Sequence, residues 1–183
     1  DLQMLLNLIR SAPAQAAFDM ATDMAAQANG NSVRLDTVTA DAGSGGTIAL
    51  LLDNTDAVAA GQFRFTYAAA LGIEITGVRV TDRTTGFESV GSAYPTGNAD
   101  LLGYQVLFYN LSPQTIAPST GAILTFSYTT TAEATGSSVL RFTQALLASA
   151  AAQEITAPPT DGAVTVVPPQ PSVYRLYFPV IQR

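Results

Sequence analysis

The side chains able to do chemistry in this chain of 183 residues are few, and the missing ones limit it most. Cysteine, histidine, lysine and tryptophan are all absent, and the 8 cations are scattered arginines. A thiolate nucleophile, an imidazole base, a Schiff-base lysine and a lysine-derived isopeptide crosslink are therefore excluded. Any metal site would use oxygen ligands alone, which rules out ordinary structural zinc. Acid–base catalysis without histidine requires paired carboxylates at controlled spacing. The candidates are Asp53 with Asp56, or Glu74, Asp82 and Glu88. Each falls at a strand end or on a polar strand face, where solvated carboxylates are routine, so the chain reads as non-enzymatic and no cofactor is implied.

Three weaker signals concern binding. Asp53-Asn-Thr-Asp56 offers oxygens for part of a hard-cation site near Asp53 and Asp56, or forms a plain Asx-type turn. Tyr94, Tyr104 and Tyr109 are the candidates for a sugar-binding platform. Asn110-Leu-Ser112 matches a glycosylation sequon, although Pro113 follows it. The net charge of −6 opposes nucleic acid, whose binding depends on neutralising phosphates. No apolar run is long enough for a membrane span. The chain begins at Asp1 and reads as processed or truncated.

The elements that carry these residues fall into three parts. In residues 1–30, Leu2, Leu5, Leu6 and Ile9 share one face of a helix, and Ala17, Met20, Ala21, Met24 and Ala28 line a second. Asn29-Gly30 then supplies a stop. Residues 31–167 change to a period of two. Ile48, Leu50 and Leu52 alternate, as do Phe63, Phe65 and Tyr67, with Gln62, Arg64 and Thr66 facing outward. Ile73 and Ile75, Val78 and Val80, Tyr104, Val106 and Phe108, then Leu124, Phe126 and Tyr128 continue the pattern; Leu140, Phe142, Val164 and Val166 close it. Gly/Asn/Asp turns separate these short runs and no helices alternate with them, which predicts an all-β, antiparallel β-sandwich. Residues 168–183 form a Pro-rich linker and a terminal strand, Val173-Tyr-Arg-Leu-Tyr-Phe-Pro-Val-Ile-Gln-Arg183.

The sandwich region resembles the cohesin-like jelly rolls that receive dockerins in secreted bacterial assemblies. The residues carrying the resemblance are Gly46-Thr-Ile-Ala-Leu-Leu-Leu-Asp-Asn54, Val58-Ala-Ala-Gly-Gln-Phe-Arg-Phe-Thr-Tyr67, Val106-Leu-Phe-Tyr-Asn-Leu-Ser112, Gly121-Ala-Ile-Leu-Thr-Phe126 and Asp161-Gly-Ala-Val-Thr-Val166. Asp1-Leu-Gln-Met-Leu-Leu-Asn-Leu-Ile9 is similar to the helix that follows a dockerin calcium loop, with Asp1 as that loop's last ligand. Asp19 and Asp23 have the spacing of two ligands of a second loop, but Ala21 replaces a ligand and Met24 stands where the turn needs glycine. The segment therefore resembles a degenerate dockerin half. The resemblance implies an extracellular or cell-surface protein.

The tail decides between two outcomes. Tyr174, Leu176, Phe178 and Val180 share one face; Val173, Arg175, Tyr177, Pro179 and Ile181 share the other. Burying five such side chains is worth about 8–15 kcal/mol gross, while ordering about nine backbone residues costs about 9–18 kcal/mol. Backbone pairing must supply the difference, either as an edge strand of its own sandwich or by donation to a neighbour. The expectation is a non-catalytic assembly protein that associates head to tail with other copies into a fibre or surface layer. Its assembly interface is Leu2, Leu5, Leu6, Ile9, Val173, Tyr174, Leu176, Tyr177, Phe178, Val180 and Ile181. The alternative is a binding module for a dockerin-bearing partner or a glycan.

Overall fold

A computed structural model describes residues 30–169. The helical reading of residues 1–29, the terminal strand and its interface residues lie outside the described residues. The strands are β1 (Ser32–Leu35), β2 (Thr37–Asp41), β3 (Gly45–Asn54), β4 (Ala60–Ala68), β5 (Ile73–Val80) and β6 (Glu88–Tyr94). They continue with β7 (Leu101–Tyr109), β8 (Ser119–Thr130), β9 (Gly136–Ala148), β10 (Glu154–Ile155), β11 (Pro159–Thr160) and β12 (Gly162–Val167).

These strands make two sheets. The smaller has the order β11-β1-β3-β8-β5; the larger runs β2-β12-β9-β4-β7-β6, with β10 added to β9. Pairing is antiparallel except at the margins, where β1–β11 and β2–β12 are parallel. The inward alternation expected from sequence holds: Phe63, Phe65, Phe108, Phe126, Ile48, Leu50 and Leu52 are fully buried between the sheets. Phe126 meets Phe65 and Tyr104 edge-on at 5.2 and 5.8 Å, the offset geometry that aromatic quadrupoles prefer. The runs at Ile73–Thr76 and Val78–Val80 are one strand. A register shift between Ile75 and Gly77 keeps Val78 and Val80 packed against the core despite the odd spacing.

Two consequences position everything else. First, β1 and β2 form one path that changes sheet at Asp36, whose N–H donates to the carbonyl of Ala49 at 2.9 Å. Second, the chain enters and leaves at opposite ends. Ser32 pairs with Asp53 at the end of β3, whereas Val167 pairs with Asp41, which opens the turn leading into β3. The ten residues of β3 separate these poles by about 33 Å at roughly 3.3 Å per residue.

Candidate functional site

The outer face of the larger sheet carries rows of mostly polar side chains. Strand alternation puts Gln62, Arg64 and Thr66 of β4 outward, opposite Leu107, Gln105 and Gly103 of β7. Val90, Ser92 and Tyr94 of β6 continue the same rows. Gln62 donates to Gln144 at 3.1 Å and Gln105 donates to Ser92 at 3.2 Å.

Arg64 and Tyr94 stand at its centre. The Tyr94 ring lies across β7 because Gly103 carries no side chain; a Cβ there would meet the ring at 2.7 Å. Its hydroxyl reaches Thr143 at 3.0 Å. Thr143 is the extra residue of β9 where the register with β4 slips between Arg64 and Phe65, so the bulge aims it outward. The Arg64 guanidinium sits over the Tyr94 ring, 5.7 Å from its centroid. Its Nε is buried without an acceptor, and the ion pair found among the described residues is Arg141–Asp161, elsewhere on the sheet. The Arg64 side chain is half-exposed, so a carboxylate or carbonyl from outside would meet its terminal nitrogens and not the buried Nε.

The proposed sugar platform is not assembled. Tyr104 belongs to the core, where desolvation raises its hydroxyl pKa, so it presents no surface. Gly91 explains why: it leaves space for the Tyr104 hydroxyl, which a Cβ would approach to 2.5 Å. Tyr109 lies at the far end of the sheet, donating to Glu88 at 2.8 Å; that bond is the main cause of its raised pKa. Of the three, Tyr94 is the one whose ring lies across Gly103 on the outer face. At the sequon, Asn110 is engaged in a turn, accepting from the N–H of Ser112 at 2.7 Å and donating to Gln114 at 3.2 Å.

The acidic candidates do not converge either. Asp53 accepts from Thr120 at 2.9 Å, and Asp56 accepts from the Asn31 amide at 2.7 Å. Glu74 and Asp82 are exposed on separate segments. Among the described residues no group of three acidic side chains could hold a metal ion.

The loop at Asp53–Asp56 has a different occupant, the Arg83 guanidinium. It donates to the Asn54 side chain and to the carbonyls of Leu52, Ser119 and Gly121. Burial lowers the Arg83 pKa and the neighbouring Asp53 charge opposes that shift. Asn31 ties the entering chain to the same loop, accepting from the N–H groups of Thr55 and Asp56 at 2.9 and 3.3 Å. This pole is therefore a side-chain clamp. At the exit pole β12 is held by backbone pairing to β2 and β9, and Ala42 donates to the Val167 carbonyl at 2.9 Å.

No family model matches the sequence, and a comparison with curated proteins finds no relative. Solved structures do share the fold. The chain is similar to the cohesin of a type I cohesin–dockerin complex from Clostridium thermocellum, with a TM-score of 0.61 and 16% identity over 76% of this chain and 100% of that one. A non-cellulosomal cohesin from the archaeon Archaeoglobus fulgidus gives 0.57 and 14%, covering 75% of this chain and 91% of that one. The cohesin module of a family 33 glycoside hydrolase from Clostridium perfringens gives 0.57 and 13%, over 76% and 96%. The fold is thus a cohesin-like, all-β sandwich. No helix among the described residues is long and apolar enough to cross a membrane.

Proposed function

We propose that the chain is a non-catalytic protein–protein interaction module, extracellular or on the cell surface, that joins copies of itself head to tail through its terminal segments. The observation that carries this reading is polarity: the entering chain at Asn31 and the departing chain at Val167 occupy opposite ends of the sandwich. Two different sticky segments on opposite poles make a heterologous contact that does not close on itself, which generates a filament. Engagement by both segments raises the effective concentration of each and strengthens the joint beyond one strand alone. The test is electron microscopy and sedimentation of the full chain over rising concentration. Polymers are expected, and removal of residues 168–183 should leave folded monomers. Discrete monomers of the full chain at high concentration would refute the reading.

A second reading has its own support. Structural neighbours include cohesins solved in complex with dockerins, and Arg64 and Tyr94 are side-chain types enriched at binding hot spots. On this reading the outer face of the larger sheet receives a dockerin-bearing partner. Saturable capture of such a protein by the full chain, lost in Arg64→Gln, would favour it over self-association.

A further inference from the structure

The four sheet edges differ in how they are guarded. Unpaired edges invite foreign strands, and natural proteins blunt them with short strands, proline, bulges or charge. Edge β11 has two residues and begins with Pro159. Edge β2 has five residues, with Thr37, Thr39 and Asp41 exposed. Edge β5 carries the bulge at Ile75–Gly77 and an exposed Arg79. By contrast β6 runs seven residues in unbroken register with β7, without proline or a basic residue, and Val90 on it is 60% exposed.

Resting on the head-to-tail reading, we infer that β6 is the acceptor edge, and that its occupant is the segment Val173–Phe178 of a second copy, added as a further strand. The donor has six residues before Pro179, which ends backbone donation, against the seven of β6. Chain reach favours a second copy over the chain's own tail. A strand outside β6 lies five inter-strand spacings from β12, about 24 Å. The six steps from Val167 to Val173 through the prolines span about 19 Å in polyproline geometry. The donor's uniformly apolar face, Tyr174, Leu176 and Phe178, would extend the inward side of β6, where half-buried Val78 of β5 already packs against Gly91. Its other face places Arg175 on the side that carries Glu88 and Val90.

The absence of native cysteine makes the test direct. Copies carrying Ser92→Cys are mixed with copies carrying a single cysteine in the tail, at Tyr174, Arg175, Leu176 or Tyr177 in turn, and oxidised in air. At least one mixture should give a disulfide-linked heterodimer in high yield. Val90→Lys, set beside Arg175, should raise the concentration needed for polymers at least tenfold with an unchanged melting transition. Polymers that need the tail, yet give no crosslink and ignore Val90→Lys, would overturn the β6 assignment while leaving the head-to-tail reading intact. A crosslink formed solely when both cysteines share one chain would overturn it in favour of a folded-back tail. A parent chain that forms no polymer removes both.

Discussion

The two faces of the larger sheet share every strand and every register pair, yet they follow opposite rules. On the inner face Phe63, Phe65, Val106 and Phe108 are sealed from water, and each is held by several neighbours at once. On the outer face Gln62, Arg64, Gln105 and Ser92 make single, partly solvated contacts, and the central guanidinium has a buried Nε without an acceptor. The inner face therefore carries the stability of the fold. The outer face carries little of it and is free to serve recognition.

Substitutions on each face should separate these roles. Phe65→Ala, which empties the space shared with Phe126 and Tyr104, should cost about 3–5 kcal/mol. It would be read as a lower denaturant midpoint at constant slope. Alkali probes the same interior. Burial is the leading cause of raised pKa values at Tyr67, Tyr104 and Tyr128, above the ordinary 10.0. A raised value favours the protonated, folded form, so this contribution is complete below pH 10 and is lost as pH climbs through the folded-state values. Tyrosinate absorbance should rise together with unfolding; ionisation well before any loss of structure would contradict the burial.

Neighbouring residues of β6 give a finer contrast. Gly91→Ala pushes a methyl toward the Tyr104 hydroxyl and Val78 and should destabilise by about 1–3 kcal/mol. Ser92→Ala, on the outer face of the same strand, should stay within about 0.5 kcal/mol. Equal effects in thermal melts would erase the distinction between the faces. A comparably small stability change, within about 0.5 kcal/mol, is expected from Arg64→Gln, although it removes the guanidinium that the second functional reading requires.

The same contrast explains what could be read from sequence. Strands β3, β4, β7 and β8 were legible because large residues alternate along them and all point inward. Strand β6 was not: its inward positions, Ser89, Gly91 and Ala93, are all small, and at Gly91 the space is filled from the other side by Tyr104 and Val78. The pattern that marks a strand is carried there by its neighbours. Strands β1, β2, β10 and β11 are too short to show a period. The outward direction of Arg64 follows from its alternation with Phe63 and Phe65, but its stacking with Tyr94 depends on Gly103 and Thr143, which only the sheet order brings together. The surroundings of the Asp53–Asp56 loop were not legible, because Asn31, Thr120 and Arg83 each bind part of it from distant segments.

The parallel pairing of β2 with β12 has a mechanical consequence. A pull between the poles drags β1 and β2 one way through Ser32 and draws β12 the other way through Val167. The register pairs from Thr37–Ala163 to Asp41–Val167 then resist in shear, all together, and cannot be peeled apart one at a time. Forced rupture is set by the unfolding barrier and not by equilibrium stability. Such a link would yield abruptly, at high tension.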